Sequence, residues 1–223
     1  DGIRDRDVTG VQTCALPISS IYDNFFNDPD SVRNYALSLE YSKHPGGVPG
    51  KRTDNIRDLN PDLYNTFQMN ILNLLFGAGT WDVNINAFFQ LTPEYYEEGW
   101  VHTDNVRLQD EPTTAGVIYL TPNAPLHAGT SVYSGNDRIG IVPINHQIKI
   151  DFYQDKQVDM GEYRLERDRN NSLFTKTLDV SNVYNRLFAY NTTQLHKENK
   201  FFGTTNEDSR LTLVFFAKIE RMQ

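Results

Sequence analysis

Val83, Ile85, Ala87 and Phe89 alternate with polar residues, and this two-residue period constrains the chain more than any other feature. Alternation of that kind puts every apolar side chain on one face of an extended segment, the pattern of a half-buried strand. Short apolar or β-branched runs recur downstream at Trp100–Asp104, Ala115–Leu120, Thr130–Tyr133, Leu187–Tyr190 and Leu211–Ile219, each predicted as a strand. Ile21–Phe26 reads as an entry strand. Two helices precede most of these strands. Asp28 caps the first, with Pro29 at the first helical position, where its missing N–H is harmless, and Val32, Tyr35, Ala36 and Leu39 form its apolar face. Asn60-Pro61-Asp62 opens the second, whose face runs Leu63, Phe67, Ile71, Leu74 and Leu75 before Gly77-Ala78-Gly79 ends it. His44–Gly50 is a glycine-proline loop, and Asp151–Tyr184 is a charged interruption with weak helical character. Helices followed by many short strands predict an all-β core, a sandwich or barrel, with helices packed outside.

The 223 residues, 39% of them hydrophobic, suffice for one good core, so residues 19–223 are expected to form a single domain. Residues 1–18, DGIRDRDVTGVQTCALPI, have neither helical nor strand periodicity and resemble a translated sequencing-library adapter. They are read as a non-native leader that adds no packed element, with the biological chain expected from about Ser19. The one cysteine, Cys14, lies in that leader, which excludes a disulfide scaffold or a cysteine-rich zinc site and fits a cytoplasmic protein. No run approaches the roughly eighteen apolar residues of a membrane span. The net charge of −8 repels phosphate backbones and argues against general nucleic-acid binding. Nothing in the pattern specifies an oligomeric state.

The residues that carry chemistry begin at Gly99-Trp100-Val101-His102-Thr103-Asp104. Residues two apart in an extended chain project from one face, so the His102 imidazole and the Asp104 carboxylate can reach one point. Far downstream, His196 follows the polar turn Asn191-Thr192-Thr193. Two imidazoles and one carboxylate make a facial triad, which suits Fe(II) because open positions remain for a bidentate cosubstrate and O2. Fourteen residues past His196, Arg210 opens the apolar run Leu211–Phe216. Burying such a cation is costly unless it meets an anion, and its planar fork matches a carboxylate with two parallel hydrogen bonds. Thr212 shares the face of Arg210 and offers a hydroxyl.

In this order (histidine-x-aspartate, a distant histidine, then Arg210-Leu211-Thr212 before a hydrophobic strand) the chain resembles the 2-oxoglutarate/Fe(II)-dependent oxygenases. It is similar in particular to the small prolyl-hydroxylase-like members of phage and marine bacteria. Ala115–Pro125, Gly129–Tyr133 and Asp23–Asp30 carry the same likeness, which spans about Ser19 to Glu220. The resemblance implies a double-stranded β-helix, or jelly roll, with helices buttressing one sheet. It implies that His102, Asp104 and His196 bind Fe(II), that Arg210 holds the far carboxylate of the cosubstrate 2-oxoglutarate, and that Thr212 and Tyr119 assist. It further implies O2-dependent hydroxylation of a peptide side chain or small metabolite, with 2-oxoglutarate split to succinate and carbon dioxide. Prolyl hydroxylases proper typically carry a lysine closer to the second histidine, a departure that separates this chain from them.

Plainer readings stand beside these. His102 can be a core histidine, Asp104 a turn cap, Arg210 a partner of Glu207 or Asp208, Thr212 a β-former and Tyr119 core packing. His44 and His146 read as surface residues, and His127 as either a pocket residue or a loop end. Lys51-Arg52-Thr53 reads as a solvated loop end or, less simply, as a reader of an acidic substrate, and Tyr95–Glu98 as a lid or substrate wall. Two rival functions remain: a cupin-type metalloenzyme without 2-oxoglutarate, and a non-enzymatic jelly-roll binding or structural protein.

Overall fold

The computed structural model describes residues 19–104 and 113–222; the adapter-like leader lies outside the described residues. The longest pairing joins β3 (Trp81–Thr92) to β9 (Arg210–Arg221), antiparallel over twelve residue pairs. Around it forms a six-stranded antiparallel sheet in the order β1-β7-β4-β9-β3-β2, with β1 Ser19–Tyr22, β2 Lys51–Arg52, β4 Thr114–Tyr119 and β7 Leu187–Asn191. A three-stranded sheet, β6-β5-β8, is made of β6 Phe174–Val180, β5 Thr130–Gly135 and β8 His196–Glu198.

Strand parity divides the molecule into two cores. Ile85, Ala87, Phe89 and Leu91 of β3 and Leu211, Leu213, Phe215 and Ala217 of β9 face outward from the sandwich, where helices cover them. Their covering residues include Val32 and Ala36 of α1 (Pro29–Leu37) and Phe67 and Ile71 of α3 (Pro61–Ile71). The alternate residues Ala115, Val117, Tyr119, Phe188, Tyr190 and Val214 meet Val132 and Val180 of the smaller sheet. A one-residue slip would exchange the two sets, so burial on both faces fixes the register.

The helix starts follow local chemistry. The Asp28 side chain accepts from Ser31 N–H at 3.0 Å, and that of Asn60 from Leu63 N–H at 3.0 Å. Between them lies the short α2 (Ile56–Leu59). The last turn of the α3 helix widens over Leu72–Phe76 and stops at Gly77, whose φ of 71° favours glycine. No helix among the described residues is long and apolar enough to cross a membrane.

Three expectations need correction. The entry strand ends at Tyr22: Asn24 turns the chain with φ 57°, sending Phe25 and Phe26 into the outer core. Trp100–Asp104 is not a regular strand; among the described residues its one ladder contact is a bridge between His102 and His196. The charged stretch after Asp151 is not merely an interruption, since it holds α5 (Met160–Asn171) and β6. Strand β6 is an edge strand, exposed along most of its length, so burial imposes no alternation on it. Ahead of it, α4 (His146–Tyr153) packs Ile148, Phe152 and Tyr153 against Trp100 and Tyr163.

Asn185 pins the turn before β7 to the turn that follows β1. Its side chain accepts from Phe26 N–H at 2.9 Å and donates to Phe26 C=O at 2.8 Å, while its backbone sits at φ 62°. Asn185→Ala strands two buried backbone groups and strains the left-handed position, a loss of about 3 kcal/mol. Asn185→Gly removes the strain and recovers about 1 kcal/mol of that loss. Urea unfolding of both variants measures the two contributions; a loss under about 1 kcal/mol in Asn185→Ala would show that water replaces the side chain.

Candidate metal centre and its cavity

Two backbone hydrogen bonds form the site. His102 N–H donates to His196 C=O at 3.0 Å, and His196 N–H returns to His102 C=O at 2.9 Å. Gly99 N–H donates to Glu198 C=O at 2.9 Å, so the segment before His102 runs directly against β8. A side chain at Gly99 would collide with the Glu198 carboxylate, which is why glycine stands there. Asp104 N–H then donates to Thr192 C=O at 3.0 Å.

This pairing converges three donor atoms, one each from His102, Asp104 and His196, all within 4.8 Å of one another. Asp104 Oδ1 lies 3.6 Å from His102 Nε2, and Oδ2 lies 3.5 Å from His196 Nε2. Backbone carbonyls fix the imidazole tautomers: Nδ1 of His102 is 2.7 Å from Trp100 O, and Nδ1 of His196 is 2.9 Å from Gln194 O. A carbonyl only accepts, so Nδ1 carries the proton in each neutral ring and Nε2 presents its lone pair to the centre. Tyr190 adds a hydroxyl, 2.9 Å from His196 Nε2 and donating to Asp104 at 3.1 Å.

The electrostatics suit a cation. Burial works to raise the Asp104 pKa, yet the two imidazoles and the Tyr190 hydroxyl hold the carboxyl well below its usual range. Burial lowers His196, keeping it neutral. At His102 burial is outweighed by Asp104, and the pKa rises.

Arg210, only 2% exposed, opens β9 on the inner face. Its Nε and Nη2 have no hydrogen-bond partner, nor has the buried Thr212 hydroxyl. The rings of Tyr119 and Phe201 flank the guanidinium at 5.5 and 5.9 Å. Neither Glu207 nor Asp208 pairs with it; Asp208 instead accepts from Thr204 and Thr205. Tyr119 donates to Thr130 Oγ1 at 2.8 Å, and burial raises its pKa. Register aligns Tyr119 with Thr212, Thr212 with Gln90 and Gln90 with Arg52, one row across four strands.

A cavity of about 610 Å³ has the His102–Asp104–His196 cluster and Arg210 in its wall. Four residues that sequence reading passed over or placed elsewhere also line it: His44, Arg52, Lys149 and Glu198. His44 is thus no simple surface residue. Glu198 sits two residues beyond His196, a spacing that could have revealed it, since both then face one side of β8. Lys149 left no such signal, because α4 was not foreseen. His127 is exposed in the turn Leu126–Ala128, away from the cavity. Glu94, Tyr95, Glu97 and Glu98 line a separate, open groove beside α5, where Glu97 pairs with Arg167 at 2.7 Å.

A family model described as "Family of unknown function (DUF6445)" matches residues 8–217, a span that begins within the leader-like segment. No curated protein matches the chain. Among solved structures, HygX from Streptomyces hygroscopicus with nickel and 2-oxoglutarate bound is similar at a TM-score of 0.52 and 10% identity, over 91% of this chain and 83% of that one. A prolyl hydroxylase from Trichoplax adhaerens, in complex with a hypoxia-inducible-factor peptide fragment, is similar at 0.51 and 11%, over 90% and 83%. SnoN, a non-heme alpha-ketoglutarate-dependent epimerase from nogalamycin biosynthesis, is similar at 0.51 and 8%, over 90% and 77%. At such identities the likeness establishes the fold, a double-stranded β-helix with flanking helices.

An unpaired buried cation destabilises the protein that carries it. Arg210→Met keeps most of the packing volume and removes the charge, so the ligand-free variant is expected to equal or exceed the parent in urea resistance, by up to about 2 kcal/mol. A loss above about 1 kcal/mol would show that the guanidinium is anchored by its aromatic neighbours instead.

Proposed function

The chain belongs to the DUF6445 family, and we propose that it is an Fe(II)- and 2-oxoglutarate-dependent oxygenase that hydroxylates a small metabolite or a peptide side chain. One observation carries this reading: a two-histidine, one-carboxylate cluster shares a buried cavity with a guanidinium that, among the described residues, has no carboxylate within salt-bridge distance and leaves Nε and Nη2 without a hydrogen-bond partner. A cupin-type metalloenzyme without 2-oxoglutarate has no use for that cation, and a purely structural jelly roll would gain stability by losing it.

The residues fit both groups. His102, Asp104 and His196 would hold the metal: burial keeps His196 neutral, Asp104 stays ionised, and His102, whose pKa Asp104 raises, would give up its proton to bind Fe(II), leaving positions open. Arg210 and the Thr212 hydroxyl would receive the far carboxylate of 2-oxoglutarate, satisfying the polar atoms that folding leaves bare. Tyr119, whose ring flanks Arg210, would close that end of the pocket. Together with O2, the bound iron and cosubstrate supply an oxidant able to attack an unactivated C–H bond, with succinate and carbon dioxide as co-products. The protein's own part is positioning: carbonyls orient the two imidazoles, Tyr190 holds Asp104, and the apolar wall excludes water.

HygX and the Trichoplax enzyme support this reading, since one was solved with 2-oxoglutarate and a metal and the other with a peptide. Mn(II) is expected to raise the melting temperature of the parent, and 2-oxoglutarate to raise it further only when metal is present. Asp104→Ala abolishes both shifts. Arg210→Met keeps the first and weakens 2-oxoglutarate binding by about a hundredfold. With Fe(II) and O2 the parent releases succinate slowly even without substrate. Absence of metal-dependent 2-oxoglutarate binding, together with absence of succinate, would overturn the assignment.

A further inference from the structure

Two cations in the cavity take no part in holding the metal or the cosubstrate. Arg52 lies on β2, and its Nε donates to the buried Gln90 side chain at 2.8 Å. Gln90 is itself anchored, donating to Pro49 C=O at 2.9 Å, so the guanidinium is held in one direction. The rings of Phe88 and Phe216 flank it at 6.0 and 5.8 Å. Lys149 projects from α4, with its ammonium 5.9 Å from the Trp100 ring and 5.8 Å from that of Tyr153. Among the described residues, neither cation has a carboxylate within salt-bridge distance. Each senses Asp104 and Glu198 only through space, and burial lowers both pKa values, that of Arg52 to about 10.

Exposure orders the cations along the cavity. Arg210 is fully buried at the inner end, whereas Arg52 and Lys149 are half-buried and nearer solvent. In the cross-strand row, Arg52 stands two strands from Thr212, roughly 10 Å of sheet. One 2-oxoglutarate carboxylate on Arg210 therefore leaves the outer pair unserved. The charge balance agrees. Arg52, Lys149 and Arg210 face two carboxylates, Asp104 and Glu198, in the same cavity. A divalent metal and a doubly charged cosubstrate cancel each other, so one positive charge is left over at the outer end.

We propose that Arg52 and Lys149 form a second anion site, which selects a substrate with an apolar or aromatic body ending in a carboxylate or phosphate group. The inference rests on the reading of Arg210 as the cosubstrate anchor. Four aromatic rings flank the two cations and supply the apolar surface for the body. The two cations supply charge-assisted donors for the oxyanion. Both are specificity-determining residues; neither touches the reacting atoms.

Ligand-detected NMR on the full chain, loaded with zinc to prevent turnover and saturated with 2-oxoglutarate, tests this. The probes are phenylacetate, phenyl phosphate, phenylacetamide and phenethylamine. At least one anion is expected to bind about tenfold more tightly than the neutral amide and the amine, and the better anion identifies the oxyanion. Arg52→Gln and Lys149→Gln should each weaken that anion about tenfold and leave the amide unchanged. Arg52→Lys and Lys149→Arg, which keep the charge and guard against misfolding, should recover most of the affinity. Arg210→Met, measured without cosubstrate, should retain it. Anion binding that is absent, equal to amide binding, insensitive to Arg52 and Lys149, or lost in Arg210→Met overturns the proposal. If 2-oxoglutarate fails to bind but the anion still depends on Arg52 and Lys149, the oxygenase assignment falls and the anion site stands.

Discussion

The reciprocal hydrogen bonds between His102 and His196 are the joint on which the site depends. They tie an irregular segment to the short strand β8, and each partner contributes an imidazole to the candidate metal cluster. A side-chain cluster assembled from two distant pieces of chain would ordinarily tolerate several arrangements. Here the backbone sets the spacing first, and the carbonyls of Trp100 and Gln194 then fix the ring orientation. Gly99 makes this contact possible by letting the two chains approach without a side chain between them.

The outer core holds this arrangement against its own electrostatic cost. One face of the large sheet is covered by helices and is almost wholly apolar, from Ile85 to Leu91 and from Leu211 to Ala217. The opposite face carries Arg52, Gln90, Thr212 and Arg210. Stability and function are therefore separated by strand parity, residue by residue along the same two strands. A site with buried cations and orphaned donors persists because the reverse side of the same sheet is free of such demands.

Much of this was legible before any coordinates. Alternation gave β3, caps gave α1 and α3, and spacing marked out His102, Asp104, His196 and Arg210, which line one cavity, and Thr212, which lies buried behind its wall. Strands β6 and β8 were missed for different reasons. The first is an exposed edge without alternation, and the second spans only His196–Glu198, too short for any period to register. The segment holding His102 was read as a strand from its apolar and β-branched residues, although among the described residues it forms one bridge, to His196, and one further backbone hydrogen bond, from Asp104 to Thr192.

Sequence by itself determined which faces are apolar, where α1 and α3 begin, and which residue types can ligate a cation or grip a carboxylate, because these follow from local spacing and side-chain chemistry. Only the tertiary structure decided that Arg210 forms no salt bridge among the described residues, that Glu198 and Lys149 enter the cavity, and that Arg52 is held by Gln90 rather than by solvent. Such facts depend on contacts between residues tens to more than a hundred positions apart. Loop closure and sheet order bring those residues together, and neither leaves a periodic trace in the chain.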